Sequence, residues 1–410
     1  MDFSMLGLSP RLVAKLAQQG ITDPTPIQRK AMPHAMDGRD VMGLAQTGTG
    51  KTAAFGLPLI HALTHPGERP APKRVRALIL APTRELAKQI RDTLADYAQG
   101  TPLKIGLVVG GAGINAQIQR LARGTDLLVA TPGRLIDLLD RRAVELSDAR
   151  YLVLDEADQM LDLGFIHALR RIAPLLPRER QTMLFSATMP KQMAELASAY
   201  LTDPVRVETA PPGKPIDKID QGLHYVGAQA DKARLLAEYL DAHRDELALV
   251  FARTKHGAER LMKGLVAQGF AAVSIHGNKS QGQRERAIRA FTAGEMRVLV
   301  ATDVAARGID IAGIAHVYNY DLPNVADNYV HRIGRTARAG RSGRAVAFCA
   351  PDETGELRDI EKLIGKAIPV IGGTPHAVER KGKVKPGGGR ARPAGGRRRA
   401  RGKPQGRRAA

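Results

Sequence analysis

Short apolar runs alternate with longer amphipathic segments along most of the chain, and this alternation limits the fold more than any other feature. Apolar strands that alternate with helices predict parallel βαβ units, because helices cover both faces of such a sheet. Helical periodicity is clearest at residues 86–97 and 191–200. We therefore predict an α/β fold with parallel sheets. Its predicted strands are residues 40–44, 77–80, 105–109, 126–130, 151–154, 182–185, 247–251, 272–275, 298–301, 316–320 and 345–348.

The alternation is interrupted at residues 209–218 (TAPPGKPIDK), where three prolines and one glycine predict an extended linker. The flanking segments also echo each other, because DLLVATPGR at 126–134 is similar to VLVATDVAAR at 298–307. We therefore predict two tandem domains of one type, at residues 1–208 and 219–370. In both, polar residues follow the ends of strands, which is the edge where open α/β sheets bind ligands.

Positive charge is concentrated at the C-terminus. The whole chain has 62 Lys and Arg against 41 Asp and Glu, a net charge of +21. Residues 377–410 alone have thirteen Lys and Arg and one Glu, a net charge of +12. Segment 371–410 is rich in Gly, Pro and Arg, so we predict that it is disordered. The charge favours a polyanionic partner but does not distinguish RNA, DNA and an anionic membrane.

Cysteine usage and hydropathy predict a cytoplasmic protein. Cys349 is the only cysteine in the sequence, which is typical of a reducing compartment, and its apolar neighbours predict a buried strand residue. The N-terminus lacks the basic and apolar regions of a secretory signal. No apolar run is long enough to span a membrane, so we expect no membrane partner.

The segment AQTGTGKT at 45–52 follows a predicted strand and precedes a predicted helix, which is the context of a phosphate-binding P-loop. Glycine N–H groups and a helix N-terminus can surround phosphate oxygens. Lys51 can reach the β- and γ-phosphates, and the Thr52 hydroxyl can ligate Mg²⁺. Ala45 stands where the general motif has its first glycine. The motif predicts a nucleoside triphosphate and Mg²⁺ as cofactors, held by Gln46, Thr47, Gly48, Thr49, Gly50, Lys51 and Thr52.

Adjacent carboxylates end the predicted strand of YLVLDEAD at 151–158. Asp155 can hold Mg²⁺, commonly through water, and Glu156 can orient or deprotonate the attacking water. A carboxylate cluster after a strand is otherwise often a helix N-cap, a role also open to Asp158. The P-loop in the same domain favours the catalytic interpretation.

HRIGRTARAGR at 331–341 spaces Arg332, Arg335 and Arg338 three residues apart. If the segment is helical, the three guanidinium groups lie on one face and point at a neighbouring anion. Arginines placed in this way stabilise the charge that develops during phosphoryl transfer. Alone, the pattern favours a solvated basic helix face; together with the P-loop, it predicts arginine fingers.

Seven segments occur in the order found in DEAD-box RNA helicases: AQTGTGKT, PTREL (82–86), TPGR (131–134), DEAD (155–158), SAT (186–188), ARGIDI (306–311) and HRIGRTAR (331–338). The sequence resembles this family from residue 3 to about residue 350. The resemblance implies two RecA-like domains and an ATP-dependent RNA helicase that locally unwinds short duplexes or remodels ribonucleoproteins. An ATP-gated RNA clamp with little unwinding activity and a DNA translocase are the alternatives, and the DEAD tetrad disfavours the translocase.

The resemblance also implies roles at the nucleotide. Gln28 would read N6 and N7 of adenine, Phe3 would stack on the adenine ring, and Asp310 would contact the ribose. Arg335 and Arg338 match the arginine fingers of the family. The implied catalytic set is Lys51, Asp155, Glu156, Arg335 and Arg338.

The family pattern implies an RNA-binding face that contacts the sugar-phosphate backbone rather than the bases. In the first domain it comprises Pro82, Thr83, Arg84, Gly110, Gly111, Thr131, Pro132, Gly133 and Arg134. In the second it comprises Arg253, His276, Gly277, Gln281, Arg284, Thr302 and Asp303. A further group would couple hydrolysis to strand separation: Asp158, Ser186, Thr188 and His331. We expect a monomer that binds single-stranded or short-duplex RNA with low sequence specificity, in ribosomal or RNA-decay complexes.

Three positions depart from the family pattern. Asn278 stands where Asp is common, Ala337 where Gly is common, and Ile21 where an aromatic residue is common. The change at Ile21 weakens the expected packing beside the adenine.

Overall fold

The computed structural model describes residues 2–46, 48–64, 69–189, 191–209, 219–306, 311, 313–337 and 342–376. They form two seven-stranded sheets in which every pair of neighbouring strands is parallel. The predicted α/β class with two tandem domains of one type is therefore confirmed. Within the described part of the chain, no helix is long and apolar enough to cross a membrane.

The first domain has the strand order β3-β4-β2-β5-β6-β1-β7. Its strands are β1 (Val41–Leu44), β2 (Val75–Leu80), β3 (Ile105–Val108), β4 (Thr125–Ala130), β5 (Tyr151–Leu154), β6 (Gln181–Ser186) and β7 (Val205–Glu208). Its helices are α1 (Pro10–Gln18), α2 (Pro26–Met36), α3 (Lys51–Leu63), α4 (Arg84–Tyr97), α5 (Ile114–Leu121), α6 (Pro132–Asp140), α7 (Ala157–Asp162), α8 (Ile166–Ile172) and α9 (Lys191–Tyr200).

The second domain repeats this plan with the order β10-β11-β9-β12-β13-β8-β14. Its strands are β8 (Ile219–Tyr225), β9 (Leu247–Phe251), β10 (Ala272–Ile275), β11 (Val298–Ala301), β12 (Ile314–Asn319), β13 (Gly343–Cys349) and β14 (Val370–Gly372). Its helices are α10 (Asp231–Asp241), α11 (Lys255–Ala267), α12 (Gln281–Thr292), α13 (Asp303–Ala306), α14 (Ala326–Ile333) and α15 (Thr354–Ile364).

Each sheet lies between two apolar layers, because successive strand residues point to opposite faces. In β2, Ala77 and Ile79 belong to one layer, while Leu78 and Leu80 belong to the other. Cys349 is fully buried at the end of β13, as its apolar neighbours predicted. This packing fixes the strands, so the polar residues that follow them meet at the carboxyl edge of each sheet.

The second sheet extends beyond residue 370, where the ordered domain was predicted to end. Strand β14 pairs with β8, and the His376 ring packs edge-on against Tyr225 at 5.3 Å between centroids. The predicted start of the tail at residue 371 is therefore too early. In the predicted linker, Thr209 is described and its N–H donates to the Leu44 carbonyl. The remainder of the linker, 210–218, and segment 377–410 lie outside the described residues.

Candidate active site and nucleic-acid interface

The P-loop connects β1 to α3 and depends on two glycines. Gly48 and Gly50 have φ values of 81° and 90°, in the left-handed region that side chains rarely adopt. A Cβ atom on Gly50 would also lie 2.5 Å from Nε2 of Gln28. The Thr49 hydroxyl donates to the Gln46 carbonyl at 2.7 Å, which closes the turn. Thr47 lies outside the described residues.

Lys51 begins α3 and is almost fully buried, with 5% of its surface exposed. Its Nζ lies 3.7 Å from Oδ1 of Asp155, and within the described residues it donates no hydrogen bond. A buried ammonium group without hydrogen bonds is costly. Phosphate oxygens between the P-loop and Asp155 would satisfy it, so this pocket suits a nucleoside triphosphate.

The carboxylate pair follows β5, two strands from the P-loop strand β1. Burial raises the pKa of Asp155 to about 6, despite the opposing charge of Lys51. Glu156 is 2% exposed and has a left-handed backbone, with φ 50° and ψ 51°. Non-glycine residues in this conformation are strained, and such strain is typical of functional sites. Asp155 and the Thr52 hydroxyl are the oxygen donors that suit Mg²⁺.

Asp158 connects the carboxylate motif with the SAT segment after β6. Its Oδ2 accepts hydrogen bonds from the N–H of Ala187 and from the N–H and hydroxyl of Thr188. Nε2 of His331, in the second domain, lies 3.9 Å from the same oxygen. Burial would raise the pKa of Asp158, but the charges of His331 and Lys51 and these hydrogen bonds lower it below its ordinary value. The Ser186 hydroxyl donates to the Thr188 carbonyl at 2.7 Å, so the predicted coupling residues do meet.

Gln28 lies beside the P-loop, but both ends of its amide have protein partners. Nε2 donates to the Gly50 carbonyl at 3.0 Å, and Oε1 accepts from the Thr25 N–H at 2.9 Å. Each end of the amide keeps one further hydrogen-bonding position, because Nε2 has a second hydrogen and Oε1 a second lone pair, so Gln28 can pair with N7 and N6 of adenine without losing these partners. Phe3 is 2% exposed inside the apolar core of the first domain, so the structure contradicts its predicted stacking on adenine.

The predicted arginine face on a continuous helix is wrong. Helix α14 ends at Ile333, so Arg335 lies beyond it, where its Nε donates to the His331 carbonyl. Arg332 is 1% exposed and donates to both oxygens of Asp303. Its guanidinium also packs 4.9 Å from the centre of the Phe251 ring. Arg332 therefore has a structural role, while Arg338 and Asp310 lie outside the described residues.

A groove of about 500 Å³ brings together most of the RNA-binding residues predicted in the first domain. Gly111 is at φ 77°, and a Cβ atom there would clash with the Arg84 guanidinium, so only glycine suits the position. Sequence reasoning missed the apolar wall formed by Leu163, Phe165 and Val304, although Val304 directly follows the predicted RNA contacts Thr302 and Asp303 in the sequence. The predicted residues that line the groove are Pro82, Thr83, Arg84, Gly110, Gly111, Thr131, Gly133 and Arg134, with Arg284 from the second domain.

Glu85 connects the two domains at this groove, which sequence reasoning also missed. Its carboxylate accepts from Nε2 of Gln281 at 3.3 Å and lies 3.2 Å from the Arg284 guanidinium. The amide oxygen of Gln281 accepts from Arg84 at 3.2 Å. Residues predicted on separate domains are thus joined by charged hydrogen bonds.

Other side chains predicted to bind RNA have protein partners in this structure. His276 is 4% exposed and contacts Glu259 at 3.0 Å, and the Asp303 carboxylate is bound by Arg332. Arg253 donates to Glu353 at 3.2 Å. Pro132 begins α6 beside the groove, while Gly277 and Thr302 follow β10 and β11. RNA contacts by these residues stay predictions.

A P-loop after β1, a carboxylate pair after β5 and a second domain with the same sheet define a nucleoside triphosphatase of tandem RecA-like type. A family model described as DEAD/DEAH box helicase matches residues 25–196, and one described as helicase conserved C-terminal domain matches residues 231–340. The chain is 44% identical over 364 residues to the ATP-dependent RNA helicase CshA of Limosilactobacillus reuteri, covering 88% of this chain and 72% of the relative.

Solved structures show the same similarity. S. cerevisiae Dbp5 bound to RNA and ADP BeF3 has a TM-score of 0.81 at 31% identity, over 90% of this chain and 95% of that one. Mss116p bound to ssRNA and AMP-PNP has a TM-score of 0.82 at 28% identity, over 91% of this chain and 79% of that one. The chain belongs to the DEAD-box family of ATP-dependent RNA helicases.

Proposed function

We propose that this protein holds single-stranded RNA by its backbone in the groove between its two domains, and that ATP hydrolysis couples this grip to local separation of short duplexes. The observation that carries the proposal is the set of charged contacts from Glu85 to Gln281 and Arg284. These contacts lie at the wall of the groove, so the same closure that brings the two domains together also forms the RNA site. Dbp5 and Mss116p, which are similar over most of this chain, have been solved with RNA and an ATP analogue.

In the proposed mechanism, the P-loop N–H groups and Lys51 bind the ATP phosphates. Asp155 and Thr52 would hold Mg²⁺, which would neutralise negative charge at the phosphates. Glu156 accepts the proton of the attacking water, and its burial holds the carboxylate in one orientation. Arg335 and Arg338 are proposed to stabilise the developing charge. Asp158 and His331 would report nucleotide state between the domains, because they meet across the interface.

The groove favours backbone recognition over base recognition. Its polar lining consists of arginines, threonines and glycine backbone, which suit phosphate and 2′-hydroxyl groups. We therefore expect low sequence specificity. The second candidate is an ATP-gated RNA clamp, favoured by the same closure contacts, in which hydrolysis times release without unwinding.

A duplex-separation assay on RNA and DNA substrates of matched sequence tests the proposal. We expect ATP-dependent strand separation of short RNA duplexes and little activity on DNA. Glu156→Gln should bind ATP and RNA but hydrolyse ATP at least about 100-fold more slowly, because the amide cannot accept a proton. RNA binding that depends on ATP but gives no strand separation would favour the clamp. Equal activity on DNA would contradict the proposal.

We further propose that the protein acts as a monomer in the cytoplasm, on RNA in ribosomal or decay complexes. Light scattering of the RNA-bound protein tests the monomer, and crosslinking in cells identifies the RNA.

A further inference from the structure

Three side chains with metal-binding atoms meet in the second domain, at the sheet edge opposite the strand ends discussed above. His243 follows α10, Glu246 directly precedes β9, and His316 lies near the start of β12. Their candidate ligand atoms all lie within 4.8 Å of one another. Two imidazoles and a carboxylate form a donor set that suits divalent transition metals.

An irregularity in β12 places His316 in this cluster. Strand β12 has one residue more than its neighbour β9 between Ile314 and His316. Because side chains alternate along a regular strand, these two residues would otherwise share a face. Instead Ile314 packs in one apolar layer, while His316 stacks on Tyr318, which belongs to the other layer. Such bulges often redirect a functional side chain.

The distances are those of a site that needs little rearrangement. Nδ1 of His243 lies 3.3 Å from Oε2 of Glu246, and two ligands of a tetrahedral zinc ion lie about 3.3 Å apart. Nε2 of His316 contacts the same oxygen, and the two imidazole centroids are 4.3 Å apart. His316 and Glu246 must separate to admit an ion, and Glu246 can move because its side chain is 51% exposed.

The cluster is accessible to an ion from solvent. His243 and Glu246 line a cavity of about 200 Å³, and the His243 side chain is 33% exposed. A fourth coordination position is thus open to water.

We propose that His243, Glu246 and His316 form a binding site for a divalent transition metal such as Zn²⁺. Mg²⁺ prefers an all-oxygen site, so it should not compete. Arg244 and Arg297 also line the cavity, and their charge opposes a cation, so binding depends on the Glu246 carboxylate. A bound ion joins the end of α10 to β12 and so stabilises the second domain.

Equilibrium dialysis of Zn²⁺ against the untagged full chain, without nucleotide and in excess Mg²⁺, tests the site. We expect one ion per chain and a rise in Tm of about 5 °C at a hundredfold excess over Kd. Cobalt as a probe should give the intense visible absorption of four-coordinate Co²⁺. His243→Ala should weaken Zn²⁺ binding at least about 30-fold while leaving ATPase activity unchanged, because His243 is partly exposed and outside the nucleotide site.

His256→Ala is the matched control, since His256 is an exposed histidine of the same domain. It should bind Zn²⁺ as the wild type does, whereas Glu246→Gln should bind it more weakly. Unchanged binding by His243→Ala, equal loss in both histidine variants, or displacement by Mg²⁺ would each overturn the proposal.

Discussion

The carboxylate of Glu85 in the first domain lies 3.2 Å from the guanidinium of Arg284 in the second. Their side chains are 6% and 14% exposed, so the ion pair is shielded from water. Hydrogen bonds between charged groups are about twice as strong as neutral ones, and burial makes a missing partner costly. The ion pair therefore stabilises the closed arrangement of the two domains at the groove.

Glu85→Gln should weaken RNA binding in the presence of a non-hydrolysable ATP analogue by about tenfold, because the amide leaves the buried Arg284 without its counter-charge. ATP binding without RNA should be unchanged. Fluorescence titrations of RNA with and without the analogue measure both effects. Glu195→Gln, an exposed position of the same domain, should behave as the wild type. Equal RNA affinity for both variants would show that the ion pair does not contribute to closure.

Asp155 predicts a pH-dependent stability of the nucleotide-free protein. Its pKa is raised from 3.8 to about 6, so the folded state binds the proton more tightly than the unfolded state does. Its contribution to the free energy of unfolding therefore falls as the pH rises from about 4 to about 6, and it is constant above. Asp155→Asn removes this dependence. We compare the free energy of unfolding of the variant with that of the wild type at each pH. This difference should favour the variant by about 1 kcal/mol more at pH 7.5 than at pH 5.

Asp158→Asn is the control for this experiment, because the pKa of Asp158 is lowered rather than raised. The stability that Asp158 contributes is present above 3.8 and is lost as the pH falls through its lower folded value. Its variant should therefore show the same difference from the wild type at pH 5 and pH 7.5. Urea unfolding at both pH values measures this. A parallel pH dependence in the two variants would contradict the assigned pKa directions.

Gln28→Ala should weaken ATP binding by at least about tenfold and GTP binding by less, because an amide can pair with N6 and N7 of adenine. Some loss is expected for both nucleotides, since the Gly50 carbonyl also loses its donor. Fluorescent-nucleotide competition measures the two affinities. An equal loss of affinity for ATP and GTP would show that Gln28 only supports the P-loop and does not read adenine.

His331→Ala should reduce RNA stimulation of the ATPase by about tenfold while leaving the RNA-independent rate nearly unchanged. His331 contacts Asp158 only across the domain interface, so its loss should affect the closed state selectively. Steady-state ATPase rates with and without saturating RNA separate the two effects. His167→Ala, at an exposed position on α8, is the control. If both rates of His331→Ala fall together, His331 supports the fold or nucleotide binding instead.

Two truncations separate the C-terminal strand from the basic tail. Ending the chain after His376 keeps β14, whereas ending it after Pro369 removes β14 and the contact of His376 with Tyr225. The shorter form should have a Tm lower by roughly 2–4 °C, which corresponds to about 1 kcal/mol. Calorimetry of the two forms measures this difference. Identical Tm values would show that β14 adds no stability.

Both truncations remove residues 377–410, so both should bind RNA more weakly and with less dependence on salt. If five phosphates are released from contact, the slope of log K against log salt should flatten by about 3.5. ATPase rates at saturating RNA should stay nearly unchanged. An unaltered slope of log K against log salt would show that residues 377–410 do not contribute to RNA binding.

The parts of the fold that the sequence predicted are those where one local pattern dominates. Strands such as β5 and β9 are continuous apolar runs, Asp155 follows β5 directly, and Lys51 belongs to a recognisable motif after β1. Strands β7, β8 and β14 were missed because polar or glycine residues interrupt them. Their strand conformation comes from pairing with a neighbouring strand, which a local pattern does not contain.

The errors at the site have a similar origin. The spacing of Arg332 and Arg335 suits one helix face, so the sequence predicts a shared role for them. In the structure the helix ends between them, and Arg332 forms an ion pair with Asp303. Glu85 looked like an ordinary first-turn residue of α4, because its partners are about 200 residues away in sequence. Phe3 was assigned by resemblance, although burial decides whether an aromatic ring is available.

The left-handed backbone of Glu156 indicates that this position was selected for its carboxylate rather than for stability. With φ at 50°, a side chain costs about 1–2 kcal/mol that glycine would not. Selection for folding alone would favour glycine there, yet glycine has no carboxylate to accept a proton from water. Natural variants at this position that increase stability should therefore lose ATP hydrolysis. A screen that selects for thermostability and ignores activity should recover Glu156→Gly.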